Sequence, residues 1–524
     1  MTTNKANSEK KTALVIGGGI AGLLAARVLA EHYEAVLVIE RDAAPEGPGP
    51  RTGSPQSFHL HQILPRGEVI LERLFPGFGQ DLVRLGAFYR ESAVVEMINP
   101  YGTIPFPGDG KVVTYSRGLL EWVIRQRVQT INNIRFMYHQ EVTGLLTSLD
   151  KTRVIGVNLR ERGQLENQRQ LTADLVIEAS GRSSKLPQWL TALGLELPES
   201  ERVTSSIGYS TRYYKIRSEK SHIAVMVVES DAPGGNCAGG VLKAIENDLW
   251  TVCLTSIGGE FPATDAKGFD EGLKKLISPA LADILHGAEP VSEPRGYRLP
   301  ECTRHHYEKM EQWPAGLLVM GDAFCNFDPI YGQGMTVAAI EAEALAAGLR
   351  EQQGQPQPGF ERQLLGQMQD AIYPAWWRSA LEDLRWPGVT HCGSDAFKDA
   401  PFLHKYFDLC LKQSTRQLVQ LMQQGQFNPL YLNYFMMNWL FISPRDVINA
   451  TMLTALLESE TPQEREAMLN DLFEGYDRNN IEAVLDSVAP NFSYSFGNLA
   501  DFAPEEEAGF GQNSTYDEVG SSRL

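Results

Sequence analysis

The sequence predicts an α/β protein in which a parallel-sheet nucleotide-binding unit is interrupted by an antiparallel sheet and followed by a helical C-terminal region. Three observations carry this. TALVIGGGIAGLLAARVLAEHYEAVLVIERD, from Thr12, reads as strand, glycine turn, helix, strand and acid, the order of a Rossmann-like βαβ start. LLVMGDAFCNFDPIYGQGMTVAAIEAEAL, roughly three hundred residues later, again leaves an apolar strand through glycines and enters an alanine-rich helix. Between them, SIGYSTRYYKI and LWTVCLTSI alternate apolar and polar residues with the period of two that half-buried antiparallel strands require.

In the first element, Gly17, Gly19 and Gly22 fit G-x-G-x-x-G. The first glycine turns the chain, the second lets backbone approach a pyrophosphate, and the third permits close helix–strand packing. Ile20 and Ala21 open the helix whose free N–H groups would face the phosphates. Glu40, eighteen residues past Gly22, ends the second strand where an acid bonds a ribose hydroxyl, and Arg41 adjoins it. This order points to an adenine dinucleotide and leaves NAD and FAD both open. Position favours FAD, because one extended ligand would touch both this turn and the distant second element.

In that second element, Gly332 and Gly334 allow positive φ and close approach of a flat ligand, with Met335 beginning the helix. Taken singly, these glycines read as an ordinary tight turn and Asp322 as a turn or helix cap. Taken with the N-terminal motif, they read as the far end of a flavin site. A helix N-terminus there would stabilise negative charge on a reduced ring.

The stretch around Gly321 and Asp322 resembles the second FAD fingerprint of the flavoprotein monooxygenases built like para-hydroxybenzoate hydroxylase. That resemblance implies a three-layer ββα FAD-binding domain. It also implies that Asp322 bonds the ribityl or ribose part of FAD, that Pro329 lies beside the isoalloxazine, and that Gly332 to Gly334 wall its reactive edge. Phe327, Pro329 and Tyr331 are then the candidates to meet flavin or substrate, with no side chain nominated as catalytic. Arg117, at the start of the helix in YSRGLLEWVIRQRV, matches an arginine that contacts FAD in related enzymes. ADLVIEASGRSSKLPQWLTALG resembles the middle fingerprint, with Ser180 where the family carries an aspartate. Reduction by NAD(P)H directly, or by reduced flavin from a partner reductase, therefore both stay open. RTGSPQSFHLHQILPRG reads as a loop over the cofactor, with Arg51 and Gln56 as polar contacts. Its His59 and His61 have no third ligand at recognisable spacing, so no metal is expected.

The wording VIERD, RTGSPQ to HLH, and EQWPAGLLVMGDAFCNFDPIYGQGM is most similar to the polyene epoxidases of polyether biosynthesis, of the monensin and lasalocid type. The resemblance covers the cofactor core and fades beyond about residue 350. It implies a monooxygenase in which a flavin C4a-hydroperoxide epoxidises or hydroxylates a lipophilic polyene, polyketide or terpenoid, with O2 as co-substrate. An aromatic hydroxylase or halogenase and an isoprenoid double-bond reductase remain as alternatives.

Composition narrows the field further. The chain has 524 residues, 43% hydrophobic and 21% charged, so it has ample length for more than one structural unit. A formal charge of −18 and no clustered basic surface argue against a nucleic-acid partner. Six scattered cysteines without a C-x-x-C pair suggest neither zinc nor a disulfide framework. The polar N-terminus lacks a signal-peptide core, and LYLNYFMMNWLFIS is shorter than the roughly 20 residues that span a bilayer, so a cytoplasmic protein without a transmembrane anchor is expected. The expected domains are 10–200 for the first part of the FAD-binding domain, with a substrate-side insertion near 85–115, then 201–300 for the antiparallel substrate domain. The FAD-binding domain resumes over 301–352, a helical region follows over 360–488 after the linker GQPQPG, and 489–524 is a mobile acidic tail.

Overall fold

The computed structural model describes residues 11–496, apart from 52, 107–110, 165–166, 217–219, 233, 353–356 and 425–428. Its centre is a five-stranded parallel sheet. The order is Leu317–Val319, Leu175–Glu178, Thr12–Ile16, Ala35–Ile39 and Ile134–Met137. These are short apolar runs such as TALVI and LVIE, buried on both faces as a parallel sheet demands. One face carries an antiparallel sheet of Gln140–Thr147, Val154–Glu161 and Arg169–Thr172. The helices Ile20–Leu29, Arg117–Gln129 and Gly334–Glu351 pack with one another and with the parallel sheet, completing three layers. Because the strands are parallel, the turns leaving Ile16, Glu178 and Val319 emerge side by side at one edge, which is where α/β sheets bind ligands.

A second, eight-stranded sheet includes Ile207–Lys215, Gly239–Ile245 and Leu249–Ser256 as antiparallel neighbours, with Arg295–Leu299 pairing along Ile207–Lys215. The segment near 85–115 feeds this sheet, because Val94–Asn99 runs parallel to Ile223–Val228 and pairs with Gly102–Pro105. A satellite core around Trp250, Phe269 and Leu281 backs the sheet.

The C-terminal helices share the central core. Trp376 and Trp377 of the helix Phe360–Asp383 and Tyr406 and Phe407 of Ala400–Gln424 pack into the same cluster as the parallel strands. The apolar late segment forms the helix Leu432–Asn438, with Tyr434, Phe435, Met436 and Met437 buried. Among the described residues no helix is long and apolar enough to cross a membrane. Residues 489–496, expected to be part of the tail, are packed onto the core. Ala489 is buried, Arg66 donates to the Phe496 carbonyl at 3.2 Å, and it donates to the Tyr494 hydroxyl at 2.8 Å. An acidic, polar composition concealed these few aromatic anchors; the tail expected over 497–524 lies outside the described residues, as do 354–356 of the linker.

A buried carboxylate ties the helical region to the rest. Glu201 lies on the middle strand of a small sheet formed by Cys302–Arg304, Glu201–Thr204 and Thr390–Cys392. It is 2% exposed and meets Arg304 at 3.2 Å, His391 at 2.9 Å and Ser394 at 2.9 Å. Burial alone would raise its pKa, yet contacts from His306 and His391 and the charge of Arg304 hold it well below the usual carboxylate range. Glu201→Leu should strand the buried Arg304 charge and cost about 3–5 kcal/mol in denaturant unfolding. A depressed pKa means this contribution is present at neutral pH and lost as pH falls below the ordinary carboxylate value. An unchanged unfolding midpoint in the variant would show that the cluster holds nothing together.

Candidate active site

The three turns at the sheet edge enclose a cleft of about 470 Å³. Gly17 adopts φ +101°, and a Cβ there would lie 2.5 Å from the Ala179 carbonyl oxygen, so strand and turn touch directly. Gly22 lets the helix sit on that turn: a Cβ would come within 1.9 Å of the Gly17 oxygen. Gly19 is different. Its backbone is extended and a Cβ would meet no atom within 4 Å, because the position opens into the cleft. The helix Ile20–Leu29 that follows carries no side-chain cap, so its N-terminus is available to a ligand.

The far end of the cleft repeats the arrangement. Gly332 takes φ +67° after the turn Pro329–Tyr331, and a Cβ on Gly334 would again meet nothing within 4 Å. The helix Gly334–Glu351 also lacks a side-chain cap. Two helix N-termini, distant in sequence, thus open on one cavity.

Charged groups frame the first end. Both Glu40 oxygens accept backbone N–H groups, from Gly18 at 3.1 Å and Asp42 at 3.0 Å, and Arg51 lies 3.3 Å away. A carboxylate has capacity left for a hydroxyl donor. Arg51 also meets Glu121 at 2.7 Å, and Glu121 receives Arg117 at 3.0 Å and Arg125 at 3.1 Å. Burial would raise the Glu121 pKa, but Arg117, Arg51 and Arg125 hold it low. The Arg117 charge, unfavourable at a helix N-terminus, is thereby balanced within its own helix.

At the second end, Asp322 pairs with Arg182 at 3.4 Å, and Arg182 also donates to the Phe327 carbonyl at 3.1 Å. The Gly321 N–H is held at 2.7 Å by Glu341, a carboxyl inside the helix whose pKa burial pushes up to about 8. Ser180 turns inward: its N–H reaches Glu178 at 3.1 Å, and its hydroxyl bonds the same carboxyl.

Nearly all the residues singled out from sequence meet on this wall. Gly17, Gly19, Ile20, Ala21, Glu40, Arg41, Arg51, Gln56 and Arg117 line one end, and Asp322, Phe327, Pro329, Gly332, Gly334 and Met335 the other. Gly22 and Tyr331 do not line it. Gly22 serves the packing just described, and the Tyr331 hydroxyl is turned onto Asp383 at 2.9 Å. Sequence reasoning missed Arg182, Asp328, Tyr209 and Tyr297, which also face the cleft, as does His61, weighed from sequence only as a metal ligand. Arg182 sits inside the middle fingerprint and was open to notice. The two tyrosines, stacked with centroids 5.4 Å apart, come from strands whose alternation does not say which face meets a cofactor. His59 bonds Thr211 at 2.9 Å and His61 the His59 carbonyl at 2.9 Å, and burial pushes both rings down, to about 4 and about 3. Among the described residues no group of three or more His, Cys, Asp or Glu side chains is placed to hold a metal ion.

No family model matches the chain. Protein Rv3254 of Mycobacterium tuberculosis is 32% identical over 405 residues, covering 74% of this chain and 83% of that protein. Squalene monooxygenase of Mus musculus is 23% identical over 342 residues, covering 62% of this chain and 52% of that enzyme. Among solved structures, the flavin-dependent brominase Bmp2 superposes with a TM-score of 0.57 at 15% identity, over 89% of this chain and 99% of that one. The p-nitrophenol 4-monooxygenase PnpA of Pseudomonas putida DLL-E4 gives 0.55 at 16% identity, over 82% and 99%. At such identity the structures show a shared fold, and the mycobacterial relative shows kinship along most of the chain. The chain therefore belongs to one family with Protein Rv3254 and shares the fold of the flavin-dependent brominase and of the p-nitrophenol monooxygenase.

Proposed function

We propose that this protein binds FAD in the cleft and uses it to transfer one oxygen atom from O2 to a lipophilic small molecule. The observation that carries the reading is the pair of uncapped helix N-termini at Gly19 and Gly334, each with open space where a Cβ would stand. An extended dinucleotide fits that pair of cradles. Gly17 to Ala21 would receive the pyrophosphate, Glu40 the adenosine ribose, and Arg41, Arg51, Gln56 and Arg117 the flanking polar groups. Asp322 would accept from a flavin-side hydroxyl, and Pro329 with Gly332 to Met335 would lie along the ring. When bound, the flavin supplies the electrons that activate O2; the second oxygen atom leaves as water. The chain's own work is to hold ligand and substrate in register and to exclude water, with Tyr209, Tyr297 and Phe327 as the aromatic side of the cleft.

Within this reading the finer proposal is epoxidation or hydroxylation of a polyene, polyketide or terpenoid, as the polyether-epoxidase wording implies. The likeness to squalene monooxygenase supports an apolar substrate. Reducing equivalents enter from NAD(P)H or through a partner flavin reductase. Stopped-flow reduction with each nucleotide separates the two, slow bleaching favouring the reductase.

Acid-precipitated protein should release FAD, and turnover of polyenes or terpenoids under labelled O2 should give a product carrying one labelled atom. Asp322→Ala should weaken FAD binding roughly tenfold or more, since a charged hydrogen bond contributes about 1.5–3 kcal/mol. Protein that fails to bind FAD at micromolar concentration would overturn the reading. A halogenated or reduced product without label would reassign the chemistry on the same scaffold.

A further inference from the structure

We propose that Asp383, at the end of the helix Phe360–Asp383, shares one proton with Asp328 and is the positioning residue that fixes the cleft wall from Asp328 to Gly332. The part that concerns the cofactor rests on the FAD reading above.

Both carboxyls are out of solvent, Asp328 at 0% and Asp383 at 1% exposure. Asp328 caps the turn Pro329–Tyr331, its Oδ1 accepting the Ile330 N–H at 2.7 Å. Its Oδ2 is buried with no N–H or hydroxyl partner, and what its carboxyl meets is the carboxyl of Asp383. Asp383 in turn accepts the Tyr331 hydroxyl at 2.9 Å. One side chain of the C-terminal helix therefore grips both ends of the turn that carries Pro329, and Asp328 itself lines the cleft.

Two buried carboxyl groups in contact do not both ionise at neutral pH, because like charges at that separation repel strongly and burial penalises each. One proton between them turns repulsion into a hydrogen bond. Burial pushes both Asp328 and Asp383 above the usual carboxylate range, so at neutral pH the pair keeps one proton between them. The surroundings agree from every side. Arg182 is the cation that faces the pair from the 180–183 turn. Tyr209, Cys302 and Tyr331, from the other packed elements, all have pKa values raised by burial and stay neutral. Glu382, next along the helix, is engaged by Arg378 and Arg385. Arg182 also holds Asp322 at 3.4 Å, so a second negative charge on the pair would have no further cation beside it among the described residues of this cluster.

The test compares wild type, Asp383→Asn and Asp383→Ala by FAD titration from neutral to mildly alkaline pH. Asparagine keeps a donor for Asp328 and an acceptor for Tyr331 but never ionises. Wild-type affinity should fall as pH rises and both carboxyls ionise. The asparagine variant should match wild type at neutral pH and lack that fall, while the alanine variant binds roughly tenfold more weakly throughout. The same alkaline fall in wild type and Asp383→Asn would overturn the proposal, as would an asparagine variant no better than alanine. If none of the three binds FAD, the flavin reading fails and the thermal midpoint of the ligand-free chain decides on the pair. A raised pKa means the folded chain holds a proton the unfolded chain releases, so stability falls as pH rises toward that pKa. A steeper alkaline decline in wild type than in Asp383→Asn supports the shared proton; superposed curves refute it.

Discussion

Gly19→Val should fold like the wild type and lose FAD. The Gly19 backbone is extended, a conformation any residue adopts, and its Cβ would meet no protein atom. The cost falls on the ligand, because the added side chain projects into the space proposed for the pyrophosphate. Overpacking typically costs about 1–3 kcal/mol, which corresponds to roughly 5- to 150-fold weaker binding. Fluorescence titration with FAD, beside a thermal melt of the ligand-free protein, reads both halves. Wild-type affinity in this variant would move the pyrophosphate away from the turn.

Three residues on, Gly22→Ala should do the opposite and damage the fold itself. A single Cβ there would stand 1.9 Å from the Gly17 oxygen and 3.3 Å from a Val15 methyl, so either the first helix or the first turn must shift. Both belong to the central core, where Leu23, Leu24 and Val15 are fully buried. A loss at or above the upper end of about 1–3 kcal/mol is expected in chemical denaturation. A variant with wild-type stability would show that the helix and the turn do not pack as closely as described. Neighbouring glycines of one motif thus separate binding from stability.

The sequence spoke most clearly where a local backbone requirement selects a residue type. Gly17 at positive φ, Gly22 at the helix crossing and Gly332 at the end of a short turn are such places. Glu40 was legible for a related reason, since its place at the end of the second strand follows from the βαβ spacing. The strands around Ile207–Lys215 were visible as alternation, but alternation names two faces without naming the neighbours. That Val94–Asn99 would join them in parallel, or that Tyr209 and Tyr297 would stack beside the cleft, had no local signal. Tyr331 illustrates the same limit from the other side: its position beside Pro329 suggested the flavin, and its hydroxyl turned instead to Asp383.

By itself the sequence determined two glycine-rich turns, the strands that precede them and the helices that follow, because each is a property of a few consecutive residues. Only the tertiary structure decided that the two turns share one cleft, that Arg51, Arg117 and Arg125 converge on Glu121, that Arg182 meets Asp322, and that Asp383 meets Asp328. These pairings join residues far apart in the chain, and burial rather than spacing sets their energies: a charge or carboxyl taken out of water must find its partner wherever the packed core brings one.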